Sequence, residues 1–297
     1  MAAVLPFPVS RIACRTLWTI AACLLASAPA AAQDAPRVSG FQWDASVAPD
    51  AHVQVDNPLG DIRIRTADAP EVSVSAIIQS LGPEGSDARI AAEDTATGAA
   101  IVVESDAGFL GRVDLSLVLP RGASADLATT DGLIEVKSLS GDVTAVSGAG
   151  DILAFVGGGL VAETGAGDIR ALLMPGETPV RLTTGDGAVR LRLDDADSEA
   201  IDLRTSGAIR LSVPEALDVD VLRSGDGGLT ARIGAGRREI AVTSGSGDVS
   251  VTVQAKSPDS AAAEPIVIPG TIPGTGPVPP SPEFEAGDPI VEIPRGN

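Results

Sequence analysis

A glycine-rich turn that recurs about every twenty residues constrains this sequence more than any other feature. The turn has the form Ser/Thr-Gly-x-Gly-Asp, complete or shortened, and an aliphatic residue follows it. These aliphatic residues are Ile134, Ile152, Ile169, Val189, Ile209, Leu229 and Val249, at intervals of 18, 17, 20, 20, 20 and 20 residues. A fixed period of this length, with two short strands per repeat, is typical of one coil of a solenoid.

The segments between the turns alternate apolar and polar residues, as in the run Val113, Leu115, Leu117 and Leu119. This alternation is typical of strands with one buried face. We therefore predict an all-β fold, a single-stranded β-helix or β-solenoid with coils of about 17–20 residues. About seven regular coils should occupy residues 125–254, after an N-terminal β segment. The turn glycines should supply backbone dihedrals that are closed to other residues.

The two ends of the chain differ from this array. Arg11 and Arg15 precede an apolar run and the small residues Ala30-Ala31-Ala32, which predicts a signal peptide over residues 1–32, cleaved after Ala32. Lipidation at Cys23 is the alternative. The apolar run is too short to span a membrane, so we predict no membrane span in the mature chain.

An exported protein follows from this leader, located in the periplasm, in the outer envelope or at the cell surface. The β-solenoid domain should occupy residues 33–254. Ten of the 43 residues in 255–297 are proline, which predicts a disordered, Pro-rich tail that acts as a spacer or as a ligand for an aromatic groove.

Charge limits the possible partners. The net charge is -19, and residues 1–32 carry two arginines and no acid, so cleavage leaves -21. Both cysteines also lie in the leader. An acidic surface of this kind disfavours nucleic acid. We expect an envelope protein or a glycan as the partner, and possible self-association through the coil ends is a further hypothesis.

Several segments resemble one bacterial family. Residues 53–64 (VQVDNPLGDIRI), Leu117-Val118-Leu119-Pro120-Arg121-Gly122 and Thr129-Thr130-Asp131-Gly132 are similar, in this order, to segments of the bacterial "putative adhesin" domains of unknown function. The later Gly-Asp repeats fit the same pattern, so the resemblance covers roughly residues 53–253. It implies a β-helix-like domain at the cell envelope and no particular reaction.

The turn aspartates are the first candidates for chemistry. Asp151, Asp168, Asp186, Asp226 and Asp248 recur at the turns, where each should accept turn N–H groups. Calcium binding is the alternative, since oxygen ligands on a glycine-rich repeat resemble calcium-binding nonapeptide arrays. Those arrays recur about every nine residues, half the present period, so we predict no metal site and no cofactor.

The sequence offers few residues that could act as catalytic acids, bases or nucleophiles. The chain has one histidine, His52, and no tyrosine, and we expect His52 to be an exposed strand residue. We therefore predict a non-enzymatic interaction or scaffold module. A polysaccharide-cleaving β-helix enzyme that uses carboxylates is one alternative. An envelope-stress or signalling module that binds a regulator or a cationic peptide is another.

A row of arginines is the best candidate for a binding site. Arg170, Arg190 and Arg210 each follow the first inward residue of a coil, and Arg192 lies two residues beyond Arg190. They should stack on successive coils and form a face for an anionic glycan or a phosphate group. The alternative is that nearby acids, such as Glu163 and Asp202, screen them.

Overall fold

The structure is a computed structural model, and it describes residues 36–81, 87–225 and 227–254. These residues form strands and no helix. The N-terminal strands are β1 (Arg37–Ser46), β2 (His52–Asp56), β3 (Ile62–Ala67), β4 (Glu71–Ser80), β5 (Ala88–Thr95), β6 (Gly98–Ser105) and β7 (Gly111–Pro120). The central strands are β8 (Ser124–Thr129), β9 (Ile134–Leu139), β10 (Val143–Ser147), β11 (Ile152–Val156), β12 (Leu160–Thr164), β13 (Ile169–Leu173), β14 (Val180–Thr184) and β15 (Val189–Leu193). The last strands are β16 (Glu199–Arg204), β17 (Ile209–Ser212), β18 (Val219–Gly225), β19 (Gly228–Ile233), β20 (Arg238–Ser244) and β21 (Val249–Val253).

Two sheets face each other across one core. Sheet A has the order β1-β4-β7-β3-β9-β11-β13-β15-β21-β17, and sheet B has the order β18-β19-β16-β20-β14-β12-β10-β8-β2-β6-β5. Each coil gives one strand to sheet B and the next strand to sheet A, and neighbouring coils pair in parallel. This arrangement confirms the predicted all-β solenoid.

The inward residues form continuous aliphatic columns. Ile152 lies in register with Ile134 on one side and with Ile169 on the other, and all three are fully buried. Burial of one such side chain contributes about 1.5–3 kcal/mol. Because the space between two stacked sheets is narrow, β-branched residues, leucine and alanine fill it almost entirely, as the alternation predicts.

The stacking order departs from the sequence order at both ends. The coil β20/β21 lies between β14/β15 and β16/β17, so Val249 aligns with both Val189 and Ile209. At the other end, β2/β3 lies between β6/β7 and β8/β9. The prediction that consecutive repeats form successive coils is therefore right for β8 to β15 and wrong outside that region.

Leu229 does not begin a coil. It lies in β19, which forms an antiparallel hairpin with β18 and pairs in antiparallel fashion with β16. The stack therefore contains six coils from Ala125 onward instead of about seven, and two further coils come from the N-terminal β segment. Any coil with matching alternation can pair with an open parallel edge, so the repeat itself does not determine which coil does so.

The turn glycines are required for a different reason than the sequence suggests. A Cβ atom at Gly167 or Gly187 would lie closer than 3.0 Å to the backbone oxygen of the equivalent glycine one coil away, Gly150 or Gly167. Neither glycine has a positive φ, whereas Gly225 and Gly227, in one of the looser copies of the turn, do have one, as predicted. Close approach of successive coils thus excludes a side chain at Gly167 and Gly187, and the prediction about turn dihedrals is wrong for these two positions.

A column of buried hydroxyl groups joins the turns. Thr164 Oγ1 donates to the carbonyl oxygen of Gly150 at 3.0 Å and accepts the N–H of Gly167 at 3.1 Å. The same two bonds recur at Thr129, Ser147, Thr184 and Ser244. Each hydroxyl therefore satisfies one group in its own turn and one in the neighbouring coil, which holds the coils in register.

Candidate functional site

The outer surface of sheet A carries most of the cations near the middle of the stack. Strand alternation points two residues of each sheet A strand towards solvent. We define the basic face by six cationic residues, Arg63, Arg65, Lys137, Arg170, Arg190 and Arg192, and by an apolar centre of Leu153, Phe155 and Leu172. Parallel pairing of β3, β9, β11, β13 and β15 places these residues side by side.

The apolar centre lies between two groups of cations. Phe155 is in register with Lys137 on one side and with Leu172 on the other, and Leu172 is next to Arg192. The three apolar side chains are only half-buried. They line a shallow depression of about 330 Å³ whose rim includes Lys137, Arg170 and Arg190. A ligand on this surface would meet an aromatic ring surrounded by positive charge.

Carboxylates contact the charged ends of these cations, yet much of each arginine side chain stays exposed. Arg170 and Arg190 both contact Asp168 Oδ2, at 3.5 and 3.2 Å, while their side chains remain 52% and 56% exposed. Arg192 contacts Asp194 at 2.8 Å and Gln254 Oε1 at 2.7 Å. Across the apolar centre, Glu135 pairs with Lys137 and, more distantly, with Arg63. Arg63 also contacts Asp61 at 2.8 Å. The six cations outnumber these four carboxylates, so the face keeps a positive charge on an acidic protein.

Arg210 is not part of this cluster. The inserted strand β21 places Ser250 between Arg190 and Arg210, which interrupts the predicted row of arginines. The acids expected to screen the row are also elsewhere. Glu163 lies on β12 and Asp202 on β16, both in sheet B, and Asp202 pairs with Arg204.

Three of the turn aspartates, Asp151, Asp168 and Asp248, explain why the Gly-Asp pair recurs. Asp151 Oδ1 accepts the backbone N–H of Asp168 at 2.8 Å, and Asp168 Oδ1 accepts that of Ala188 at 2.9 Å. Asp248 accepts the N–H of Ala208 in the same way. The prediction that these residues bind turn N–H groups is confirmed, with the difference that the N–H belongs to the neighbouring coil.

The two looser copies of the motif stand apart. Asp186 sits at the tip of its turn, where the Ser246 hydroxyl donates to it at 3.3 Å. It therefore does not take part in the aspartate bonds that join the neighbouring coils. Asp226 lies outside the described residues. Within the described part of the chain, no three His, Cys, Asp or Glu residues are grouped so that they could hold a metal ion.

Asp168 has a titration that can be tested. The Ala188 N–H, followed by the Arg190 guanidinium, lowers the pKa of Asp168 below its ordinary value. Because the pKa is lowered, the ionised carboxylate of Asp168 stabilises the folded state at pH values above the ordinary aspartate pKa. This stabilisation is lost as the pH falls through the lowered pKa.

We expect Asp168→Asn to retain the bond to Ala188 and to lose no more than about 1 kcal/mol of unfolding free energy at pH 7. The difference from the unmodified protein should disappear in acid. Urea unfolding at a series of pH values measures it, and a difference that persists in acid would contradict this role of the carboxylate.

His52 is less exposed than predicted. Its side chain is 35% exposed and its Nε2 lies 3.1 Å from Asp126 Oδ2 on β8. Since His52 and Asp126 are in neighbouring strands of sheet B, this contact links two coils.

A buried arginine away from the basic face was also missed by the sequence reasoning. Arg238, 2% exposed, begins the inserted strand β20. Its guanidinium donates to the carbonyl oxygens of Thr178 at 3.0 Å, Met174 at 2.8 Å and Gly158 at 3.2 Å. Burial lowers its pKa, and burial also raises the pKa of the nearby Glu199. The sequence does not indicate that Arg238 is buried, because its neighbour Arg237 is the same residue type and is exposed.

The fold and the face together define a two-sheet β-solenoid with one basic, partly apolar outer surface. Residues 114–252 match the family described as Toastrack DUF4097. The match covers just under half of the chain and confirms the resemblance to a family of domains of unknown function. No curated protein matches the chain in sequence.

Three crystal structures are also similar, at low identity. A "putative cell adhesion protein" from Clostridium sporogenes has 10% identity and a TM-score of 0.43, with 74% of this chain and 100% of that chain covered. A "putative adhesin" from Bacteroides fragilis has 10% identity and a TM-score of 0.27, covering 73% and 97%. Another from Parabacteroides distasonis has 11% identity and a TM-score of 0.22, with the same coverage. Among the described residues, no helix is long and apolar enough to cross a membrane.

Proposed function

We propose that this chain is an exported, non-enzymatic interaction module of the cell envelope that binds an acidic polysaccharide on the basic face. The observation that carries the proposal is the position of Phe155, which lies between Lys137 and Leu172 and lines the same shallow depression as Arg170 and Arg190. The match of residues 114–252 to the Toastrack family supports a surface module of this kind. Export rests on the leader at residues 1–32, which lies outside the described residues.

The chemistry of the face fits an acidic sugar chain better than a simple ion. The apolar side of a sugar ring can pack on an exposed aromatic side chain. The guanidinium groups of Arg170 and Arg190 can then donate paired hydrogen bonds to carboxylate, sulfate or phosphate groups on neighbouring sugars. Their rows repeat at the strand spacing of about 4.8 Å, which suits an extended polymer lying across the coils.

The negative charge of the rest of the protein restricts an anionic polysaccharide to the basic face. The chain carries a net charge of -19, so an anionic polymer is repelled except where cations cluster. Arg170, Arg190 and Arg192 keep about half of their side-chain surface exposed beside their acids. A polymer with many anions can displace or bridge these exposed pairs, because each exposed pair is worth no more than about 1 kcal/mol.

A binding experiment tests the proposal. We expect the full chain to bind polygalacturonate and not neutral dextran, with an affinity that falls as salt is added. The double variant Arg170→Glu/Arg190→Glu should bind at least about tenfold more weakly, a loss of about 1.4 kcal/mol. Phe155→Ala should weaken binding by up to about tenfold, since one aromatic contact is worth about 0.5–1.5 kcal/mol.

The matched control is Arg204→Glu, which reverses an exposed, ion-paired arginine on sheet B. Its binding should equal that of the unmodified protein. Equal loss in the control and in the double variant would reject the basic face as the site. Preference for an acidic peptide over the polysaccharide would reject the ligand class, and new reducing ends during incubation would reject the non-enzymatic assignment.

A further inference from the structure

The outward side chains of the basic face form two rows that run along the stack, across the strands. The first row mixes charges, because Glu135 lies between Arg63 and Leu153. The second row carries no acid from β9 to β15, and its members in strand order are Lys137, Phe155, Leu172 and Arg192. An anionic chain that follows the second row therefore meets only cations and apolar side chains.

Arg65 extends the second row by one strand. It follows Ile64, which is in register with Val136, and Lys137 follows Val136 in the same way. The two cations therefore lie at the same level of adjacent strands, β3 and β9. On its other side, Arg65 is in register with the apolar Val118 of β7. No acid thus occupies the row beside Arg65 on either neighbouring strand.

Arg65 differs from the other five cations of the basic face. Each of those five lies within 4.0 Å of a carboxylate. Arg65 is exposed and makes no ion pair with any described residue. An anionic group of a ligand can bind Arg65 without displacing a carboxylate of the protein, and Lys137 supplies a second positive charge one strand away.

The apolar centre separates this pair of cations from the others. Phe155 and Leu172 occupy the second row on β11 and β13, and Arg192 follows on β15. Arg65 and Arg192 are four strand spacings apart, a distance of about 19 Å at about 4.8 Å for each spacing. A short acidic sugar cannot reach both ends of the row. An extended chain can contact both, with its apolar side packed on Phe155 between them.

We propose that Arg65 and Lys137 form a second anion subsite of the basic face, so that the face selects acidic polysaccharides by their length. This inference rests on the proposed function. A chain that spans about 19 Å places one anion at Arg65 and another at Arg192. The second contact then forms at a high effective concentration, because the first contact already holds the chain on the face. A shorter chain binds one group of cations at a time.

Isothermal titration calorimetry of the full chain with oligogalacturonates of graded length tests this selection. For the unmodified protein, affinity should rise by at least about 100-fold between the disaccharide and the first oligomer that spans about 19 Å. Arg65→Glu should reduce this rise by at least about tenfold, because the second subsite is lost.

The disaccharide separates the subsite from a general effect of charge. Its affinity should change by less than about twofold in Arg65→Glu, because Arg170, Arg190 and Arg192 remain to bind it. Arg65 lies about 19 Å from Arg192, and at physiological salt the Debye length is about 8 Å, so a charge reversal at that distance is largely screened.

Arg181→Glu is the matched control. Arg181 is likewise an exposed, outward arginine without an ion pair among the described residues, but it lies on β14 of sheet B. This variant should bind every oligomer as the unmodified protein does. If Arg65→Glu kept the full rise with length, or weakened the disaccharide as much as the long oligomer, the inference would be overturned and the proposed function would stand. Failure of the unmodified protein to bind any oligomer would reject the proposed function and this inference with it.

Discussion

Gly167→Ala should lower the free energy of unfolding by at least about 3 kcal/mol, a loss in the range of severe core substitutions. The added Cβ would lie closer than 3.0 Å to the backbone oxygen and carbon of Gly150. Backbone atoms of a stacked coil cannot move aside without breaking the Thr164 hydroxyl bonds on both sides of the turn. Urea unfolding followed by far-UV circular dichroism measures the loss.

Gly40→Ala is the matched control for this substitution. Gly40 lies in strand β1, where a Cβ would meet Ala76 O at an ordinary 3.8 Å, and, like Gly167, it has no positive φ. We expect this variant to be unchanged or more stable by less than about 1 kcal/mol. Equal stability of the two variants would mean that the coils can separate locally, and the close-approach argument would be wrong.

Arg238→Leu should destabilise the protein by about 3–5 kcal/mol, the usual loss when one partner of a buried charge network is removed. Three carbonyl oxygens, those of Gly158, Met174 and Thr178, would lose their donor while staying in place. Glu199, 5% exposed, would also lose the positive charge that offsets its own burial. The midpoint of guanidinium chloride unfolding reports this loss.

Arg237→Leu provides the comparison at the adjacent position. The Arg237 side chain is 62% exposed, and its ion pair with Glu177 is long, at 3.4 Å. Its removal should change stability by less than about 1 kcal/mol. If both variants unfolded at the same denaturant concentration, Arg238 would not hold the inserted strand β20 against the neighbouring coils.

The regular middle of the fold could be predicted from the sequence almost residue by residue. From Ile134 to Val189 the alternation assigns each inward side chain correctly, because stacking of like on like requires only local periodicity. The ends could not be predicted in this way. Val249 follows Leu229 by one period, yet it pairs with Val189 and Ile209 instead.

The candidate site, too, could be predicted from the sequence only in part. The sequence identifies Arg170, Arg190 and Arg192 as outward residues of one face, which the register confirms. It also places Arg210 with them, and this is wrong because the inserted β21 separates them. The apolar centre around Phe155 went unnoticed, since Phe155 and Lys137 become neighbours only when β11 pairs with β9.

The sequence by itself determines that this chain makes coils, which residues point inward, and where each turn lies. These properties depend on alternation and on residues close together in the chain. The tertiary structure decides which coil lies next to which, why the turn glycines tolerate no side chain, and which cations share a surface. Those properties depend on contacts between coils, and each open strand edge offers a similar template whichever segment arrives to pair with it.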